Sequence, residues 1–380
     1  NLDLLVTEIN EEQDQLSEEL RLNYQSDKLK LVTGLYYLAE DHDSDVTINV
    51  GQAAKNNFDT NNETSAFAFF GQGTYAITNK LNATLGLRYS HEEKEFENEN
   101  AITLNANGAV LGSFSVDEKN SWNAWSPKAA IDYTFTNGPM LYGAVSRGFK
   151  TGGFNLTSSD PEFDSEFVWS YEIGAKHDWM KKTLRTNLVL FYYDYRDLQV
   201  SDFTQAGVLS ITNAADADIQ GVELETSWMP SYDWMFQFNY AFLDATYKDY
   251  IAPGSIDVSG NDLNAAPAHK ITTAAQYFQS VGSGTFSYRL EYLWQDKTYF
   301  TAFNEDVSSQ GAYGIVNARI NYTPLDESWD LQLYGENLDN KAYSTSSREF
   351  PAAQPPAGSG VTKDINPPRT LGVRFTYNFM

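Results

Sequence analysis

Residues able to do chemistry are sparse in this chain of 380 residues. The four histidines, His42, His91, His177 and His269, each stand alone. His91 opens the run His91-Glu92-Glu93-Lys94-Glu95, which lacks the second histidine of the zinc-binding pattern H-E-x-x-H. With no cysteine, a thiol nucleophile, a Cys-ligated zinc, an iron–sulfur cluster and a disulfide scaffold are all excluded. Neither a G-x-S-x-G elbow nor a phosphate-cradling P-loop occurs. Asp41, Asp43 and Asp45 have the spacing of the first ligands in a calcium loop. Val46 stands where that loop needs its turn glycine, and Gln52 where it needs a bidentate carboxylate, so the segment reads as a solvated loop. Glu92, Glu93, Glu95, Glu97 and Glu99 read as an acidic strand end running into a loop, a solvated face that could take divalent cations. No enzyme and no cofactor is expected from this inventory.

What remains is a set of strand-end and long-loop residues that together offer charge and flat stacking surface. Arg147, Phe149, Lys150 and Phe154 form one group, Tyr299, Phe300 and Phe303 a second, and Arg348, Phe350 and Lys363 a third, with Lys341 close to the last. Guanidinium and ammonium groups beside aromatic rings suit anionic ligands with flat surfaces, through charge-assisted hydrogen bonds and cation–π contact. The chain carries 26 Lys and Arg against 51 Asp and Glu, a formal net charge of −25, so an anion must find such local positive potential to bind. The same field repels phosphate backbones and argues against nucleic acid as a partner.

The elements that must position these groups are strands. Hydrophobic content is 42%, aromatic content 14% and mean hydropathy −0.45. No apolar run long enough for a membrane helix is present, yet strands that cross a bilayer hide their apolar residues at alternate positions, where a window average misses them. Period two is plain. From Thr370 to Phe379, Leu371, Val373, Phe375, Tyr377 and Phe379 share a face opposite Thr370, Gly372, Arg374, Thr376 and Asn378. Leu81, Ala83, Leu85, Leu87 and Tyr89 alternate with Lys80, Asn82, Thr84, Gly86, Arg88 and Ser90 in the same way. Trp234 to Phe242, Phe286 to Trp294 and Val316 to Tyr322 repeat it. On this pattern Leu81, Leu85, Phe236, Phe238, Val373 and Phe375 are expected to face lipid, and Arg88, Gln237, Arg289 and Arg374 the lumen.

The connections alternate between two classes. Short ones, rich in turn-forming residues, lie at Gln25 to Lys28, Thr78 to Lys80, Thr136 to Pro139, Met180 to Thr183, Pro230 to Asp233, Val281 to Gly284 and Pro324 to Ser328. Between them come longer polar stretches at Asp41 to Asn62, Glu97 to Asn120, Thr151 to Asp164, Lys248 to Ala266, Thr301 to Gln310 and Asn340 to Asn366, broken only by the brief link at Thr204 to Gly207. About fifteen strands result, many longer than a bilayer crossing needs. A soluble β-sandwich shares the alternation, but has no reason to sort short and long connections by side. A transmembrane barrel does, and its interfacial girdles account for aromatics such as Trp122, Trp125, Tyr133, Phe135, Trp169 and Trp179 near strand ends.

Several segments carry a family resemblance. Leu141 to Asn155, LYGAVSRGFKTGGFN, resembles a strand and loop of TonB-dependent outer-membrane receptors. Tyr334 to Tyr343, YGENLDNKAY, is similar to the family's penultimate-strand motif, and Pro367 to Phe379, PPRTLGVRFTYNF, to its closing strand. Glu18 to Leu22 with Gly34 to Tyr37 resembles an earlier hairpin of the same receptors. One departure from the pattern is Met380 after the terminal aromatic Phe379.

The resemblance implies an all-β, antiparallel, up-and-down transmembrane barrel of which residues 1–380 form the C-terminal part, about fifteen strands of a 22-stranded wall, with the plug domain and first strands absent. It implies active uptake of a large scarce nutrient, a ferric siderophore or related iron complex, with energy from TonB. A passive porin-type channel, TonB-dependent uptake of a glycan or cobalamin, and a soluble all-β binding domain are the alternatives. The expected partners are the plug and remaining strands of the same receptor, the TonB complex, outer-membrane lipid with lipopolysaccharide, and a small-molecule or metal-chelate ligand. The expected location is the bacterial outer membrane, long loops outside and short turns in the periplasm. Candidate ligand contacts are Arg147, Lys150, Phe154, Phe300, Phe303, Arg348 and Phe350.

Overall fold

The computed structural model describes residues 6–50, 54–156, 158–159, 161–203, 209–252, 255–350 and 360–379. Its strands are β1 (Val6–Gln25), β2 (Leu29–Val50), β3 (Ala54–Ala76), β4 (Leu81–Asn105), β5 (Val110–Thr134), β6 (Met140–Lys150), β7 (Gly153–Phe154), β8 (Glu162–Phe163), β9 (Glu166–Trp179), β10 (Leu184–Phe203), β11 (Leu209–Trp228), β12 (Trp234–Ala252), β13 (Ile256–Asp257), β14 (His269–Val281), β15 (Gly284–Gln295), β16 (Thr298–Tyr299), β17 (Ser309–Gln310), β18 (Tyr313–Pro324), β19 (Trp329–Glu336), β20 (Ser344–Phe350), β21 (Gly360–Ile365) and β22 (Thr370–Tyr377). One 16-stranded sheet runs β1-β2-β3-β4-β5-β6-β9-β10-β11-β12-β14-β15-β18-β19-β22, with β13 paired to β12 off this path. The path is a meander in chain order, and it holds the about fifteen wall strands that alternation predicts. β7 with β8, β16 with β17 and β20 with β21 form small separate hairpins. No helix among the described residues is long and apolar enough to cross a membrane.

The short connections fall where expected. Ser26 N–H bonds the Leu29 carbonyl at 2.8 Å, and Phe135 N–H bonds the Pro139 carbonyl at 3.0 Å around Asn137, whose φ of 56° suits asparagine. Two of the long polar stretches differ from expectation. Asp41 to Asn62 and Glu97 to Asn120 are mostly strand, because β2–β3 and β4–β5 continue pairing far past their apolar segments. Backbone pairing needs no apolar side chain, so polarity alone concealed these strands. The link at 204–207 lies outside the described residues.

Two compact units divide the chain. The first comprises residues 1–131, 145–169 and 195–215. Its apolar face is written across the ladder: Leu20 pairs with Leu35, Leu35 with Phe69, and Phe69 with Tyr89. The Trp125 ring joins this row, 5.8 Å from Phe69 and 4.8 Å from Tyr89. Six residues along β4, about 20 Å, the same face becomes a row of carboxylates, with Asp14 opposite Asp41, Asp41 opposite Glu63 and Glu63 opposite Glu95. On the other face Arg88 lies 5.5 Å from the Tyr36 ring and 5.7 Å from Phe70, and donates to Ser90 Oγ at 2.9 Å. The tall hairpins close over a small core of Val46, Ile48, Phe58 and Ala101, with Phe114 against it.

The second unit comprises residues 132–144, 170–194 and 216–380. A band of rings crosses its strands near the short turns, through Trp228, Phe236, Trp234, Tyr277, Tyr288, Phe286, Tyr322, Trp329 and Phe375, with successive centroids 4.8 to 6.2 Å apart. Rings at this spacing gain contact energy beyond their burial, and their amphipathic character suits an interface. Phe238, Val373 and Phe375 are exposed and Phe236 partly so on the apolar face of this unit, as Leu85 and Leu81 are on that of the first. The opposite face carries Gln237, Gln276, Arg289, Glu291, Arg319 and Arg374, from β12, β14, β15, β18 and β22, with Gln276, Arg289 and Arg319 in register.

Candidate ligand-capture surface

In the first unit, the described residues between 151 and 165 form a strap tied down by side-chain amides. Asn155 is buried, donates to the carbonyls of Pro161 at 3.1 Å and Ile211 at 2.8 Å, and accepts from Ile211 N–H at 2.7 Å. Asn98 donates to the Leu156 carbonyl at 3.0 Å. Gln199 donates to the carbonyls of Thr151 at 2.8 Å and Asp164 at 3.0 Å, and Asn213 to the latter at 2.8 Å. Lys94, paired with Glu92 at 3.2 Å, donates to the Gly152 carbonyl at 2.9 Å. A Cβ at Gly152 would stand 2.4 Å from both the Phe163 carbonyl and the Trp122 indole nitrogen, so only glycine lets the strap approach this closely.

Phe154 is stacked on Phe96 at 5.5 Å and meets the edge of Trp122 at 5.9 Å. Its ring therefore anchors the strap. Arg147 lies 4.1 Å over the Phe167 ring and donates to the Trp125 carbonyl at 3.5 Å, while Lys150 is exposed at the end of β6. The three residues, neighbours in one motif, are sent to three environments.

In the second unit two loops interlock. Asn261 donates to the Ala302 carbonyl at 2.8 Å, and Asn304 both donates to the Asp262 carbonyl at 3.0 Å and accepts from Asp262 N–H at 2.7 Å. Burial and the nearby Asp244 carboxylate raise the Asp262 pKa above its ordinary range, against a lowering from Lys297. Lys297 bridges Asp306 at 2.5 Å and sits 4.4 Å over the Tyr299 ring. The hydrogen bond from Lys297 holds the Asp306 carboxyl below its usual value, and the same contact raises Lys297. Phe300 and Phe303 are half-buried in this loop. Lys363 is committed to the Ser309 carbonyl at 2.7 Å, and Tyr313 stacks on Tyr343 at 4.0 Å. β20 carries Arg348 opposite Thr362 and Phe350 opposite Gly360, and the side chains of Arg348 and Phe350 lie outside the described residues.

The strongest polar constellation is on the wall itself. Arg289 donates to Gln237 at 2.8 Å, to Gln276 at 3.4 Å and to Glu291 at 2.9 Å, and stands directly opposite Arg319. Arg374 lies 6.0 Å from the Tyr334 ring. Sequence alternation assigns Arg289 to this face, whereas its meeting with Arg319, Gln276 and Glu291 depends on the register of β14, β15 and β18. The amide ties of the strap left only one trace in sequence, the asparagine that closes the Gly152-Gly153-Phe154-Asn155 run.

The chain matches a family model described as "TonB dependent receptor-like, beta-barrel" over residues 6–338. It is 22% identical over 311 residues to the pesticin receptor of Yersinia pestis, covering 80% of this chain and 42% of that protein. It is 23% identical over 292 residues to the probable TonB-dependent siderophore receptor PiuA of Acinetobacter baumannii, covering 71% of this chain and 36% of that one. In three dimensions it resembles the ferric yersiniabactin uptake receptor FyuA from Yersinia pestis, with a TM-score of 0.82, 19% identity and coverage of 99% of this chain and 56% of that structure. The chain thus spans about half, or less, of the length of the relatives it matches. With a matching wall, an alternating pair of faces and a family match over most of its length, the chain belongs to the TonB-dependent receptor family and is part of its outer-membrane β-barrel.

Proposed function

We propose that the protein takes up a ferric siderophore or related iron complex across the outer membrane with energy supplied by TonB. The observation that carries this reading is the joint match, in sequence and in backbone, to receptors named for pesticin, ferric yersiniabactin and siderophores. The chemistry is binding and gated release, with no covalent change to the ligand. The plug, TonB and the remaining wall are its partners in this reading, the long connections face outward and the short turns the periplasm.

The capture candidates are charged and ring side chains at the long-loop end of each unit. Lys150, Phe300 and Phe303 are the candidates whose side chains are described and partly accessible. Arg348 and Phe350 belong to the same proposal through their place on the β20–β21 hairpin. Arg147 and Phe154, proposed from sequence for the same role, spend their side chains on Phe167 and on Phe96 with Trp122. Deeper in the wall, Arg289 and Arg319 supply positive charge along the lumenal face.

Tryptophan quenching of the purified receptor in detergent tests the ligand class. An anionic ferric siderophore should quench saturably and its iron-free form weakly. Saturable binding of a neutral glycan with no response to ferric chelates would reject the class.

A further inference from the structure

Phe300 and Phe303 differ from Phe154, whose ring is spent on Phe96. Among the described residues neither stacks on another ring or lies under a cation, and both are half-buried. Their direction is set by the backbone between them, which is fixed from several sides. Ala265 N–H donates to the Tyr299 carbonyl at 2.8 Å, and the Asn261 amide to the Ala302 carbonyl at 2.8 Å. Phe300 N–H is taken by the Ser308 carbonyl at 3.2 Å.

Asn304 closes this arrangement. Its carboxamide meets the main chain of Asp262 in both directions, accepting from the N–H at 2.7 Å and donating to the carbonyl at 3.0 Å, and it also donates to the Thr301 carbonyl at 3.2 Å. Antiparallel strands exchange the same two bonds at a hydrogen-bonded pair, so this side chain takes the place of one residue of a paired strand. On its other side the segment around Asp262 is tied to β12. Tyr247 N–H donates to the Asn261 carbonyl at 2.9 Å, and Leu263 N–H to the Ala245 carbonyl at 2.9 Å. Asp262 is therefore held between the wall and the Asn304 amide, and the loop carrying both rings is fastened to the wall through it. Aspartate at 304 would accept but not donate, and the Asn304 φ of 53° is one that few other side chains adopt.

We propose that Asn304 is a positioning residue that presents Phe300 and Phe303 as a preformed shelf for a ligand with flat rings. This rests on reading those two side chains as ligand contacts. Asn304→Gly is the informative variant, because glycine accepts the same φ and removes only the amide. In the full-length receptor in detergent, hydrogen exchange in this variant should rise about tenfold over both 258–265 and 298–304, with residues 151–165 unchanged. Trifluoromethyl-phenylalanine placed at 303 should give one narrow fluorine NMR line in wild type and a broad or split line in Asn304→Gly. An anionic ferric tris-catecholate, followed by tryptophan quenching, should bind Asn304→Gly about tenfold more weakly. Phe300→Leu with Phe303→Leu should then cost less in Asn304→Gly than in wild type, since the shelf is already lost. Exchange and line shape equal to wild type in Asn304→Gly would overturn the proposal and leave Asn304 as a turn-former, with the rings still free to be ligand contacts. A wild-type receptor that does not respond to the tris-catecholate, or equal affinity in the Phe300→Leu, Phe303→Leu variant, would instead overturn the shelf as a ligand contact while the exchange result stands.

Discussion

Placing an arginine at Leu85 gives a direct energetic measure of the two-faced wall. Leu85 is 69% exposed and stands between Leu81, at the short-turn end of β4, and Tyr89, in the ring row. Four residues separate it from each, about 13 Å along the strand and roughly 10 Å in depth for a tilt near 40°. That puts the side chain near the middle of an apolar band roughly 25 Å tall, where an arginine costs about 2–4 kcal/mol. The folding constant into a bilayer should therefore fall about 30- to 700-fold in Leu85→Arg. The control is Gln72→Arg on the adjacent strand, exposed on the opposite face beside Gly86, where a lumenal charge should cost less than about 1 kcal/mol. Urea titration of folding into phosphatidylcholine vesicles, followed by tryptophan fluorescence, measures both. Equal losses in the two variants would refute the assignment of faces.

Three further outcomes follow from the loops. Gly152→Ala must push either the strap or Trp122 aside and should cost about 1–3 kcal/mol, seen as a shifted indole emission and faster hydrogen exchange over residues 151–165. Asn155→Ala strips both Ile211 backbone groups of their side-chain partner, while the Pro161 carbonyl keeps the residue-155 N–H; about 1–3 kcal/mol per orphaned group should open the strap, with exchange unchanged in the loop around Asn261. The Lys297–Asp306 tether has a pH window: the depressed Asp306 holds it above the ordinary aspartate range and releases it as pH falls through the lowered value, while the raised Lys297 releases it only as pH climbs through its own. Exchange in residues 298–310 should thus be flat near neutrality, rise below the usual aspartate range, and match the acid level at all pH in Asp306→Asn.

How much of this was legible in the sequence depends on what each feature needs. The wall was readable because a strand lying between lipid and water must alternate, so Leu81 to Ser90 and Thr370 to Phe379 declare both their conformation and their faces. The tall hairpins were not. Asp41 to Asn62 looks like a loop because its outer positions are solvated carboxylates and asparagines, and only pairing with its neighbours makes it a strand. The candidate site divided in a similar way. Residue type marked Arg147 and Phe154 as contacts for a ligand, whereas the fold sets Arg147 over Phe167 and Phe154 against Phe96 and Trp122. It could not choose between solvent, lumen and outer face, since one residue's shift along β6 exchanges them. The clamp of Asn98, Asn155, Gln199 and Asn213 stayed hidden because its members are far apart in sequence and meet through backbone carbonyls, which every residue has.

Uptake of radiolabelled iron tests the account most directly. Cells in which this receptor is the sole route for an anionic ferric siderophore should accumulate iron saturably when TonB is present, and lose that accumulation when TonB is deleted or the proton-motive force is collapsed. Flux that persists without TonB and rises linearly with chelate concentration would contradict the account and mark the protein as a passive channel.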